Sequence, residues 1–104
     1  MTDPDATRVT LLVLYTPKLE ECRIFYARLG LAFTAEQHER GPAHYAAVLA
    51  DGTVFGLYPS RPGKQTGILR LGIAIGGYAA TPPLKKGTRR VTDPDGRTVE
   101  IRAT

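Results

Sequence analysis

At 104 residues the chain has room for one compact domain with a modest core, and not for two. Its 42% hydrophobic and 23% charged residues exclude a disordered or fibrous chain. The formal charge of +4 comes from scattered residues, and its densest cluster, Lys85-Lys86 with Arg89-Arg90, lacks an accompanying aromatic platform, so no nucleic-acid partner is expected.

Val9 to Tyr15 (VTLLVLY) is an aliphatic, β-branched run too short for a typical helix, and it reads as a buried strand. Thr16 can cap the next segment, and Pro17 suits a first helical position. In KLEECRIFYARLG an apolar stripe recurs at spacings of three and four through Leu19, Cys22, Phe25 or Tyr26, and Leu29. Acidic residues come early and basic ones late, as the helix dipole favours, and Gly30 is the expected stop. Cys22 falls in the stripe and is expected to be buried and inert.

A short strand begins at Leu31 to Phe33, and the polar residues 36–42 read as a loop or a hairpin end. YAAVLADGTVFGLY then predicts a hairpin turning at Asp51-Gly52, pairing Val48 with Phe55 and Leu49 with Val54. Residues 59–67 are a linker, a connector or a mobile lip. Leu69, Leu71, Ile73 and Ile75 alternate with Arg70, Gly72 and Ala74, so that strand has one apolar and one small, polar face. A second hairpin turns at Asp93-Pro94-Asp95-Gly96, which reads simply as a turn, and Thr98, Glu100 and Arg102 oppose Val99 and Ile101 on its last strand. On the first sheet, Leu11, Val13, Tyr15, Tyr45, Val54, Gly56 and Tyr58 are candidates to line a cleft.

Two stretches carry a family resemblance. LEECRIFYARLGLAF (19–33) looks like a first helix with its exit, and VTDPDGRTVEI (91–101) like a terminal hairpin whose last strand bears glutamate. Together they resemble the vicinal oxygen chelate superfamily of glyoxalases, extradiol dioxygenases and bleomycin-resistance proteins. The resemblance implies an α+β domain spanning residues 1–104: a βαβββ module at about 9–58, a linker at 59–67, and a shortened βββ module at about 68–102, curved as a mixed sheet around a cleft. It also implies four ligand positions in the family's metalloenzymes. Here these fall on Leu11 or Leu12, near Gly56, near Arg70, and on Glu100. Leucine and glycine side chains offer no donor and a guanidinium repels a cation, so no metal or other cofactor is expected. The fallback is a rearranged site of Glu100 with His38 and His44.

Arg70 and Glu100 then read either as a ligand anchor or as an ion pair that satisfies itself. GGYAATPPLKKGT is too short and too rich in glycine and proline for a second helix. Leu71, Ile73, Ile75, Val99 and Ile101 are therefore expected to need cover from a second copy, giving a homodimer. The leading expectation is metal-independent binding of a small organic ligand, as in the bleomycin-resistance branch. The alternatives are a divalent-metal enzyme of glyoxalase or dioxygenase type, and a dimeric remnant without ligand. The polar start MTDPDATR is unlike a secretory leader, no apolar run is long enough to cross a bilayer, and one cysteine suits a reducing compartment, so a cytoplasmic location is expected.

Overall fold

The computed structural model describes residues 6–104; the first five residues, part of the stretch read above as unlike a leader, lie outside that range. The elements are β1 (Leu11–Thr16), α1 (Leu19–Arg28), β2 (Thr34–Glu36), β3 (His44–Val48), β4 (Val54–Pro59), β5 (Arg70–Ile75), a 3-10 turn (Gly77–Ala79), β6 (Gly87–Thr92) and β7 (Thr98–Ala103). The order is the one expected. The strands divide into two mixed sheets, β1-β4-β3-β2 and β5-β7-β6. In each, the first strand lies parallel to the last and the hairpin pairs are antiparallel. The second sheet thus repeats the plan of β1-β4-β3, and among the described residues it has no counterpart of α1 or β2.

α1 begins at Leu19, later than the cap expected at Thr16. Thr16 stays extended as the end of β1, and its hydroxyl accepts from Lys18 N at 2.9 Å, tying the strand end to the helix start. The helix stops at Gly30 as expected. With φ at +105°, Gly30 lets its own N–H reach Ala27 O and lets Leu31 N reach Tyr26 O, closing a Schellman motif. β2 forms at Thr34–Glu36 rather than at residues 31–33, because Leu31 and Phe33 are drawn into the core beneath the sheet.

The β3–β4 hairpin corrects the expected register by one residue: Val48 pairs with Val54, not with Phe55. A two-residue Asp-Gly turn needs positive φ at both positions, and only Gly52 has it, at +89°. The chain instead makes a three-residue loop in which Gly52 N bonds Leu49 O, Leu49 N bonds Thr53 O, and Asp51 Oδ1 accepts from Thr53 N. A slip of one residue turns every side chain of a strand to the opposite face. It carries Tyr45 to the helix side and His44, Ala46 and Val48 to the open side.

One core joins both sheets. Leu14, Cys22, Tyr26, Phe55 and Leu57 from the first half meet Ile75, Val99, Ile101 and Ala103 from the second. The apolar face of the second sheet is therefore not bare, contrary to expectation: Val99 and Ile101 are fully buried within one copy, while Leu71 and Ile73 are partly so. Ala80 and Leu84, from the segment that replaces a second helix, share that cover with α1. The segment is pinned by Thr81 N to Arg28 O and by Gly77 N to Thr104 O. A Cβ at Gly77 would lie 2.2 Å from Leu84 O, a backbone atom that cannot swing away. Gly77→Ala is accordingly expected to destabilise the fold by about 1–3 kcal/mol, read from the urea midpoint.

Candidate functional site

The helix side of the first sheet is closed by α1, which leaves the opposite face open. β1 presents Leu11, Val13 and Tyr15 there, β4 presents Val54, Gly56 and Tyr58, and β3 presents His44, Ala46 and Val48. Gly56 shapes this surface. Because it has no side chain, the ring of Tyr58 folds down beside Val13, and a Cβ at Gly56 would sit 3.2 Å from Tyr58 Cε1. From that position Tyr58 meets Tyr15 at 5.8 Å between centroids and stacks flat on His44 at 4.0 Å and 9°. His44 in turn lies 5.2 Å from the ring of His38. The four rings form a row across β1, β4 and β3 into the adjoining loop. On the same face Leu11, Tyr15 and Val48 are 59%, 44% and 72% exposed, so apolar surface is left in water there.

Of the candidates from the sequence, Leu11, Val13, Tyr15, Gly56 and Tyr58 come together here. Tyr45 does not: its hydroxyl donates to Glu20 on α1 and Arg23 lies over its ring at 5.4 Å. The Tyr45 hydroxyl and Arg23 together hold the Glu20 carboxyl below its usual range. The one-residue shift in register brings His44 to this face, and His38 reaches it from the β2–β3 loop. The signal for His44 in the sequence is alternation with Ala46 and Val48, which is readable only once the loop is known to have three residues.

Arg70 and Glu100 lie on the other sheet, facing away from its apolar side. Glu100 Oε1 takes Arg90 Nε at 3.1 Å and Arg70 Nη2 at 3.4 Å, and all three side chains are substantially exposed. Such pairs contribute at most about 1 kcal/mol. Arg102 follows on the same face, so this face carries three arginines, two of them paired with Glu100. The hydrogen bonds and ion pairs of Arg70 and Glu100 stay within the second sheet, which leaves a basic half-face separate from the aromatic one. Two surface grooves of about 380 and 490 Å³ lie elsewhere, the first between α1 and the second sheet, the second between the linker and the DPDG turn, with Arg70 at its edge.

The DPDG turn is more than a turn. Asp93 and Arg97 are both buried, joined from Nη1 to Oδ2 at 2.8 Å. Tyr26 Oη donates to the same Asp93 oxygen at 2.7 Å, and Arg97 N and Asp95 N donate to the other. Arg97 Nη2 reaches Asp95 at 2.8 Å and Tyr15 O at 3.0 Å. Burial opposes the Asp93 carboxylate, but the Tyr26 hydroxyl and Arg97 outweigh it and hold its pKa below the usual range. Burial and the Asp93 carboxylate push the Tyr26 phenol up. This cluster locks the end of β1, and with it Tyr15, to α1 and to the second sheet. Cys22 lies beside it, buried, its thiol pushed up chiefly by that burial, which agrees with an inert role.

Solved structures that overlay this chain include a possible glyoxalase from Bacillus cereus, with TM-score 0.61 at 17% identity over 93% of this chain and 99% of its own. TnmS3, an antibiotic binding protein from Streptomyces sp. CB03234, gives 0.64 at 18% identity over 97% and 98%. A glyoxalase/dioxygenase from Nostoc punctiforme gives 0.61 at 19% over 99% and 95%. This is the vicinal oxygen chelate fold. At these identities the likeness is one of fold; no protein-family model and no curated protein sequence matches the chain.

The metal that vicinal oxygen chelate enzymes hold on their strands does not fit the residues here. Leu11 and Gly56 offer no donor, and Glu100 is engaged by two guanidiniums, which would repel a cation beside it. The fallback of Glu100 with His38 and His44 is also corrected. The histidines belong to the first sheet's β2–β3 hairpin, and the carboxylate they meet is Glu36. No helix among the described residues is long and apolar enough to cross a membrane.

Proposed function

We propose that this chain is a small-molecule binding protein that holds an organic ligand against the open face of the first sheet. It does so without a metal at the fold's strand positions and leaves the ligand unchanged. The observation that carries this reading is the pair Tyr15–Tyr58, held by buried His44 stacked against Tyr58, which offers flat apolar area beside Leu11 and Val13 with Gly56 beneath. The likeness in fold to an antibiotic binding protein supports it. The active form is a homodimer in which a second copy closes the face. The support is the exposed Leu11, Tyr15 and Val48, which a single copy leaves in water, and the separation of the basic half-face from the aromatic one. Planar ligands with an anionic group suit the pairing of an aromatic row with guanidiniums. A single buried cysteine suits the cytoplasm.

Native mass spectrometry of untagged protein tests the reading. The expected result is a dimer carrying an additional organic mass. Tyr58→Ala, which removes the centre of the row, should lower affinity for that molecule by roughly tenfold or more. An empty monomer at every concentration, or retention of the mass in Tyr58→Ala at unchanged affinity, would refute it.

A further inference from the structure

We infer that Glu36, His38 and His44 form a binding site for a divalent transition ion of zinc-like preference, on the β2–β3 hairpin and outside the fold's strand positions. This goes beyond ligand capture and does not depend on it. Glu36 and His38 are two residues apart at the end of β2, and His44 is the cross-strand partner of Glu36. The β2–β3 register sets Glu36 and His44 side by side on the open face, and the loop after β2 returns His38 to them. Their ligand atoms all lie within 4.8 Å of one another. Glu36 Oε2 is 3.2 Å from His38 Nε2 and 3.4 Å from His44 Nε2. Ligands about 2.0–2.1 Å from a tetrahedral ion stand about 3.3 Å apart, so these distances are already those of a coordination edge.

The orientation of His44 points the same way. His44 Nδ1 lies 3.0 Å from Pro42 O, and a backbone carbonyl can only accept, so Nδ1 carries a proton. That orientation leaves Nε2 facing the Glu36 carboxylate, 3.4 Å from Oε2. An ion in that gap would take ligands from both sides, with His38 Nε2 against the same carboxylate oxygen. A histidine whose far nitrogen donates to a carbonyl is also the usual form of a zinc ligand, because that bond fixes both tautomer and ring orientation.

The environment suits stepwise capture. His44 is buried and clamped flat against Tyr58, so it is a preset ligand, while Glu36 and His38 are exposed enough to admit an ion and close on it. Gly41 N bonds His38 O and Gln37 Nε2 bonds Gly41 O, which curls the loop so that His38 returns towards His44. Two imidazoles and a carboxylate favour zinc and its neighbours over magnesium or calcium, which prefer oxygen. Three protein ligands leave a tetrahedral ion one position for water, at the end of the aromatic row.

The test is calorimetric titration of untagged, chelator-treated protein with zinc chloride at neutral pH, with thermal melts alongside. One ion per chain and a melting temperature that rises with free zinc are expected. Glu36→Gln and His38→Ala, both at exposed positions, should keep the circular dichroism spectrum and each weaken zinc by more than roughly tenfold, since even outer-shell partners are worth that much. His44 is buried, so its replacement also strains the fold, and the exposed pair carries the test. Absence of saturable zinc binding would show that a proton alone bridges His44 and Glu36 and would overturn the inference. So would zinc affinity unchanged in both exposed variants.

Discussion

Arg97→Ala is expected to lower the stability of the fold by about 3–5 kcal/mol, read as a fall in the urea midpoint with the slope unchanged. The cost comes less from a lost attraction than from what remains behind. Asp93 is buried and receives hydrogen bonds suited to its charged form, from Tyr26 and from two backbone N–H groups. Removing the guanidinium leaves that carboxylate uncompensated. It also leaves Tyr15 O and Asp95 without the donor they share at Nη2. A domain of this size is stable by only about 5–15 kcal/mol, so the variant would sit near the edge of folding. The pH dependence gives an independent reading. The Asp93 pKa is depressed in the folded state, so its contribution is complete above the unfolded value of about 3.9 and fades as pH falls from there towards the folded value. Without the guanidinium the depression shrinks, since only Tyr26 and the backbone N–H groups still oppose burial, so the acid limb of the stability curve should begin at higher pH. If the two proteins lose stability over the same acid range, the network is not what holds the turn.

Phe55→Ala should cost a comparable amount, about 3–5 kcal/mol, through a different mechanism. Phe55 is almost wholly buried between the first sheet and α1, with the rings of Tyr26 and Phe33 at 5.0 and 6.1 Å. Its removal leaves a cavity that strand β4, hydrogen-bonded on both sides by β1 and β3, cannot collapse to fill. Val54→Ala, one position away on the open face, should cost much less because its side chain is only half-buried. Equal effects at the two positions, measured by chemical denaturation, would mean that the open face is packed like a core.

Much of the architecture is legible from local pattern. The apolar stripe of α1, its end at Gly30, and the alternation of β5 and β7 are periodicities confined to a few residues, and each appears where the sequence predicts it. The facing of Arg70 and Glu100 came from the family resemblance, and the third partner, Arg90, needed the register of β6 to be known. The candidate site is less legible. Whether the Asp51-Gly52 hairpin turns in two residues or three is decided by which backbone groups find partners, and that choice places Tyr45 or His44 on the open face. Nothing in the strand residues themselves announces it, since Tyr45-Ala46-Ala47-Val48 suits either face.

The same division holds for the second half of the chain. Its composition announces that a second helix is missing, but only the packed structure shows α1 and the 76–84 segment covering Val99 and Ile101. The buried charges of Asp93 and Arg97 are hidden in a motif that reads as an ordinary polar turn. What the sequence by itself determined is what depends on neighbours along the chain: element type, order and the two-sided character of strands. What only the tertiary structure decided is register, cover and the pairing of buried charges. These depend on contacts between residues dozens of positions apart, where the balance of desolvation against hydrogen bonding is set by the whole packed arrangement rather than by any segment of it.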